Sequence, residues 1–287
     1  MTDDEKADND KEYEELLALF LALLRRLRDG MSREEALEEL AELRADLAIN
    51  HLFRGLDLDV DEALQLLQSK NDNNLTQFDK DLRDRVIAGV INLIDFAVCE
   101  EYQVMTDVED YLEDNDMDEE DIDFNDEEMM EELEGICHLY NGVYALVENS
   151  DIEYAAGMAL GWIHYESNQY LTYMTQNDDR VRPWHYALQG FTERKEDFPD
   201  WMIPPIEWGC RCFLETASGE IYAKSNDLRK VKDKVPEKPP QIDETFSESL
   251  CTCGRIFGKS HSYFNVKESD ADMLKTIVEK IRKKYNA

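Results

Sequence analysis

The chain has 287 residues, enough for one large domain or two modest ones. Its hydrophobic content of 43% supports a real core. Its net charge of -35 argues against broad contact with nucleic acid or anionic membranes, because a surface of that sign repels both.

The charge is unevenly spread. Residues 1–150 carry 44 acids and 12 bases, a net of -32, whereas residues 151–287 carry 22 acids and 19 bases, a net of -3. The two halves differ in kind, which points to two domains. The opening MTDDEKADNDKEYEE is acidic where a secretory leader needs a basic segment, so no leader is expected. The six cysteines are then expected in a reduced setting rather than as a disulfide scaffold. The apolar run Leu16–Leu24, LLALFLALL, is too short to span a bilayer, and reads as a helix buried on nearly every side.

The first half reads helical throughout. A Leu-, Glu- and Arg-rich helix over 10–29 ends at Gly30. Ser32 and Glu35 have the spacing of a capping box, opening a helix to about Phe53. Asp59 caps a short third helix, VDEALQLLQ, and Thr76 caps a long fourth one that ends near Tyr102. Cys99 falls within that pattern as a small core residue.

Thr106–Gly135 then holds 17 acids in 30 residues and no base, the composition of a solvated or disordered linker. Calcium binding is the competing reading, since Asp114, Asp116 and Asp118 alternate. An EF-hand counted from Asp114 would need glycine and glutamate where Glu119 and Asn125 stand, so the composition reading is preferred. A helix resumes over MMEELEGICHLYNGVYALVEN, with Cys137 and His138 pointing in different directions, and another covers about 151–168.

After it the texture changes. Tyr170–Thr175 is a strand candidate, and Gln176–Asp179 a turn. Residues 224–245 carry lysine and proline without periodicity and read as an extended loop. Residues 270–284 read as an amphipathic helix with acids first and bases last, as its dipole prefers. The fold class expected is α+β: a mainly α-helical N-terminal half, then a small α+β C-terminal domain with a short sheet and Cys/His-rich loops.

The chemistry concentrates in NDDRVRPWHYALQGFTERKEDFPDWMIPPIEWGCRC, residues 177–212. Asp178, Asp179, Arg180 and Arg182 can pair across a turn and fix it. His185 and Gly190 follow in a segment too polar for plain core. Two prolines and a glycine then shape a rigid loop that ends in Cys210 and Cys212. In extended chain, residues i and i+2 face one side, so both thiols can meet one ion. Cys251 and Cys253 form a second pair, followed by His261. Zinc prefers four sulfur or nitrogen ligands in a tetrahedron, so Cys210, Cys212, His185, Cys251, Cys253 and His261 are the candidate ligands of a structural Zn2+. Buried free thiols with a satisfied histidine remain the alternative. Trp201 and Trp208 are expected to pack under the loop.

The block DDRVRPWHYALQG followed by PPIEWGCRC resembles the phage Mu F-like family of minor head or head-morphogenesis proteins. The family pattern falls on Asp179, Arg180, Arg182, His185, Gly190, Cys210 and Cys212, and the resemblance extends over about 150–265. The resemblance makes residues 135–287 a Mu F-like minor head domain, preceded on composition and charge by an acidic helical domain (1–105) and an acidic linker (106–134). It also implies a few-copy head component at the portal vertex, acting in head morphogenesis and in DNA packaging or delivery. Its partners would be the portal protein and other head proteins, with phage DNA reachable only through the C-terminal part. The one basic cluster there is Lys224, Arg229, Lys230, Lys232 and Lys234. The location implied is the host cytoplasm during assembly and then the virion.

Catalysis is not expected. No Walker A, G-x-G-x-x-G or G-x-S-x-G motif is present, and His164-Tyr165-Glu166 cannot converge from consecutive helical positions. Two other functions stay open: an acidic adaptor or toxin-associated protein with a recruited Mu F-like domain, and a Cys/His hydrolase built on His185.

Overall fold

The computed structural model describes residues 3–69, 74–217 and 244–285. Their elements are α1 (Asp3–Arg28), α2 (Arg33–Gly55), α3 (Val60–Gln68), α4 (Gln77–Asp114) and α5 (Glu127–His138). A π turn (Leu139–Tyr144), α6 (Ala145–His164), β1 (Tyr170–Met174), α7 (Pro183–Tyr186), β2 (Thr192–Arg194), β3 (Phe213–Ala217) and α8 (Ala271–Tyr285) follow. This is the expected α+β class, with a helical N-terminal half and a small sheet in the C-terminal half. No helix among the described residues is long and apolar enough to cross a membrane.

Helix ends fall where the chain's own chemistry puts them. Gly30 has φ +97° and its N–H donates to the Leu27 carbonyl, so it closes α1 in a conformation that side chains disfavour. Ser32 and Glu35 exchange hydrogen bonds, each backbone N–H reaching the other's side chain at 3.2 Å. Asp59 and Glu62 do the same before α3, and Thr76 and Asp79 before α4.

Contacts divide the chain into two compact units made of interleaved segments. The first comprises Met1–His51, Val90–Ser150 and His261–Ala287, and the second Leu52–Gly89 and Asp151–Ser260.

The first unit is helical. Leu16, Phe20, Leu23 and Leu24 are buried, and only Ala18 and Ala22 of the LLALFLALL run face outward. Leu274, Ile277 and Ile281 of α8 are buried, while Lys280 pairs with Glu38, Lys284 with Glu42 and Asp46, and Arg282 with Asp95. Within the acidic run, helix covers the residues up to Asp114 and those from Glu127 on, with a 3-10 turn at Glu119–Asp121 between them. Helix α4 continues past Tyr102 to Asp114 because Val104, Val108 and Leu112 keep an apolar stripe buried beneath the acids. Ile122 is buried, and the Phe124 ring lies 4.7 Å from the Arg25 guanidinium. The acids serve as caps: Asp118 begins a 3-10 turn, and Asp126 accepts from the Glu128 and Met129 N–H groups to begin α5. The helix expected to break near residue 150 does not, since α6 runs unbroken from Ala145 to His164. Cys137 is buried and His138 exposed, as their adjacent helical positions require. Cys99 is only partly buried.

At this unit's centre, Arg44 is 1% exposed. Its Nε donates to Glu100 at 2.8 Å, one terminal nitrogen to Glu148 at 3.0 Å and the other to Asn149 at 3.1 Å. Tyr263 donates to the second oxygen of Glu148 at 3.0 Å. Glu101, also buried, accepts from the amide of Asn141 at 3.4 Å, its one side-chain partner among the described residues.

The second unit carries an antiparallel sheet in the order β2-β1-β3, with Thr172 opposite Thr192 on one side and Glu215 on the other. In this unit the end of α2 lies against α6. A Cβ on Gly55 would meet the Glu153 carbonyl oxygen at 2.4 Å and the Ala156 Cβ at 2.6 Å. Gly55→Ala is therefore expected to destabilise by about 1–3 kcal/mol, since backbone cannot yield as a side chain can. A lower urea midpoint with unchanged slope would show it.

Candidate metal centre

The central histidine is placed by the turn and short helix that follow β1. Asn177 takes a left-handed φ of 58°, reversing the chain, and Pro183 opens α7 at the position where its missing N–H is harmless. His185 on α7 is 2% exposed. Gly190 has φ +85°, and its N–H donates to the Tyr173 carbonyl, turning the chain from α7 into β2.

The cysteines arrive from the other side. Residues 203–206 of the Met-Ile-Pro-Pro-Ile stretch are buried, with a cis peptide between Pro204 and Pro205. Trp208 stacks on Phe257 and meets Phe246 edge-on. Gly209 has φ +63°, and both oxygens of Asp151 accept its N–H, at 3.1 and 2.9 Å. Tyr154 donates to the Cys212 carbonyl at 2.7 Å, fixing the far end.

His185 Nδ1 thus lies 3.4 Å from Cys212 Sγ and 3.7 Å from Cys210 Sγ. Both cysteines are 3% exposed. One ligand atom from each of the three residues lies within 4.8 Å of the other two, and no other such His/Cys/Asp/Glu group occurs among the described residues.

This geometry fits a tetrahedral ion. Zn–S near 2.3 Å and Zn–N near 2.0 Å put nitrogen and sulfur ligands about 3.6 Å apart. The observed separations bracket that value. The histidine's second nitrogen completes the pattern: Nε2 lies 3.0 Å from a Glu207 carboxylate oxygen. A carboxylate there fixes the tautomer with Nδ1 unprotonated and facing the sulfurs, and strengthens it as a ligand. Glu207 is itself held by Arg182 Nε at 3.2 Å and the Trp184 indole N–H at 3.1 Å. His185, Cys210 and Cys212 could hold a metal ion, and a small cleft bordered by Arg180, Gly209 and Arg211 adjoins them.

The local electrostatics suit thiolate formation at one sulfur. Cys210 donates to Cys212, which lowers the Cys212 thiol and, together with burial, raises that of Cys210. The Tyr173 hydroxyl is buried and has no hydrogen-bond partner of ordinary geometry among the described residues. Burial pushes Asp151 up to about 7, against the opposing effect of the Gly209 N–H.

Cys251 and Cys253 are not part of this group. Cys251 is buried, its carbonyl accepting from Arg85 at 2.8 Å, and burial pushes its thiol up to about 12, so it keeps its proton. Cys253 is exposed, with a left-handed φ of 61°. His261 belongs to the first unit, where its ring meets Phe96 and Tyr263 and its Nδ1 accepts from the Tyr263 N–H. The motif residues also pair differently from the self-contained turn expected. Asp178 takes both its oxygens to Arg211, at 2.9 and 2.8 Å, and Arg182 goes to Glu207. Asp179 is exposed, and the bases at 224, 229, 230, 232 and 234 lie outside the described residues.

Glu207 was missed in the sequence because one acid in PPIEW looks ordinary. The signal was available in its place two residues after the prolines, on the same loop as the cysteines. Glu207→Gln is expected to weaken metal affinity about 10–100-fold, as losses of such carboxylates do. Competition with a chromogenic chelator would measure it; unchanged affinity would remove Glu207 from the site.

No family model and no solved structure matches the chain. Over 78 residues it is 40% identical to the Mu-like prophage FluMu F protein of Haemophilus influenzae (strain ATCC 51907 / DSM 11121 / KW20 / Rd). That segment is 26% of this chain and 18% of the relative. The similarity supports a relation to phage F-like proteins over part of the chain.

Proposed function

We propose that the chain is a minor head protein of a tailed phage or prophage. In this reading it is associated with the portal vertex and acts in head morphogenesis and in DNA packaging or delivery. The observation that carries the reading is the 40% identity to a Mu-like prophage F protein. Residues 135–287 are the Mu F-like minor head domain, preceded by an acidic helical domain (1–105) and an acidic linker (106–134). Its role is structural rather than catalytic. Its partners are the portal and other head proteins, with DNA met only through the C-terminal part. It assembles in the host cytoplasm and leaves in the particle.

Within that role the His185, Cys210 and Cys212 group holds a structural zinc. When bound, the ion supplies a crosslink between α7 and the Pro-Pro loop. The chain's residues do the rest: Glu207 holds the imidazole tautomer, Asp151 and Tyr154 hold the cysteine loop, and burial shields the thiols from oxidation.

The reading is tested by disrupting the gene in its host, inducing the phage and imaging the lysate. Aberrant or empty heads, repaired by the gene in trans, are expected. Normal numbers of filled, infectious particles would reject a head-morphogenesis role and favour the acidic adaptor.

A further inference from the structure

The stretch 139–149 is amphipathic in the wrong sense. Its polar residues Asn141, Glu148 and Asn149 are each 3% exposed. Its apolar residues point outward: Leu139 is 39% exposed, and Val143, Tyr144 and Val147 are each 43% exposed. These four make up most of the large apolar side chains exposed among the described residues; the others, Val60 and Tyr186, are isolated. Single exposed apolar residues need no explanation, but a cluster does.

The π turn contributes to the inversion. Such wide turns are rare inside helices and recur at functional sites. Here the turn directs Asn141 inward, where its amide reaches Glu101 at 3.4 Å, and leaves Leu139, Val143 and Tyr144 outside. Interior positions are thus spent on polar groups, while the ridge stays apolar at a cost to solubility.

The same ridge continues N-terminally along α5 with a different chemistry. Glu128, Glu131 and Glu132 are exposed in line with Leu139, Val143 and Val147. Their carboxylates have no ion-pair partner among the described residues, and no lysine or arginine lies between residues 86 and 179. One face therefore runs from three clustered carboxylates into an apolar stripe, over roughly 30 Å of helix.

We propose that this ridge, Glu128 to Val147, is a docking face for an amphipathic helix of a partner protein, apolar over one half of its contact stripe and lysine- or arginine-rich over the other. The charge pattern selects that occupant. A second copy of this chain would bring its own carboxylates against Glu128, Glu131 and Glu132 in a parallel pairing, or against bare valines in an antiparallel one. A purely apolar helix would leave the acidic half unmatched. The inference rests on the first unit alone and does not depend on the metal site.

The probe is a designed, fluorescein-labelled helical peptide of about 20 residues with leucines along one half of a face and lysines along the other. A second peptide has glutamates in place of the lysines. Binding to the full chain is followed by anisotropy. The lysine peptide is expected to bind, to weaken with added salt, and to lose roughly tenfold or more of its affinity to Val143→Asp or to Glu131→Lys with Glu132→Lys. All three positions are exposed, so circular dichroism should show the variants folded. No binding, equal binding of both peptides, or sedimentation showing self-association that Val143→Asp abolishes would each overturn the proposal.

Discussion

Replacing Arg44 by methionine is expected to cost about 3–5 kcal/mol of folding stability, the penalty for removing one partner from a buried ion pair. The guanidinium satisfies Glu100, Glu148 and Asn149 from a position 1% exposed. Methionine fills similar volume, so packing is largely kept and the loss is electrostatic. Glu100 and Glu148 would be left in the interior without a cation, and burial, which already raises both, would then go unopposed by the guanidinium. Equilibrium urea unfolding measures the change. A loss under about 1 kcal/mol would mean that the cluster contributes little beyond volume.

The same cluster sets a pH dependence. Burial, and then the neighbouring Glu100 charge, pushes Glu101 well above the usual carboxylate range. Burial first also raises Glu148, with Glu100 adding to it. A raised folded-state value means that the native protein holds protons the unfolded chain has released above about pH 4.3. The contribution is fully present below that pH and is lost as pH rises through the folded values. Glu101→Gln keeps an acceptor for Asn141 and removes the titration. It is expected to leave the melting temperature unchanged near pH 4 and to raise it at pH 8. An equal shift at both values would exclude titration as the cause.

The second large effect concerns the Cys-x-Cys loop. Cys210→Ser with Cys212→Ser is expected to abolish stoichiometric zinc and to lower the melting temperature well beyond what two small substitutions cost. Binding to the native state alone stabilises by RT ln(1 + [L]/Kd), about 4 kcal/mol at a thousandfold excess over Kd. Serine nearly matches cysteine in size, so packing alone accounts for little of such a shift. EDTA added to the wild type should produce the same drop and leave the variant unmoved. If chelator moves both equally, or neither, the thiols are simply buried.

Much of the fold was legible because its signals are local. Gly30, the Ser32–Glu35 box, Asp59 and Thr76 are read within four residues of where they act. The strand at 170–174 and the closing helix likewise follow from composition. Helix α4 past Tyr102 was hidden because its exposed face is so acidic that the stripe Val104, Val108 and Leu112 is easily overlooked. The Arg44 cluster was illegible for another reason. Its partners are 56 and 104 residues away, and no pattern marks them in sequence. At the candidate site, spacing put forward His185, Cys210, Cys212, Cys251, Cys253 and His261 alike. Only the packing around β1 and α7 selects three of the six.

The measurement that bears most directly on the account is the protein content of purified phage particles. Particles banded from an induced host would be analysed by quantitative mass spectrometry, separating heads from tails. The account predicts this chain in the head fraction at a few copies per particle, held with the portal when capsids are opened. Its absence from particles, while abundant in the host lysate, would contradict the head-protein assignment.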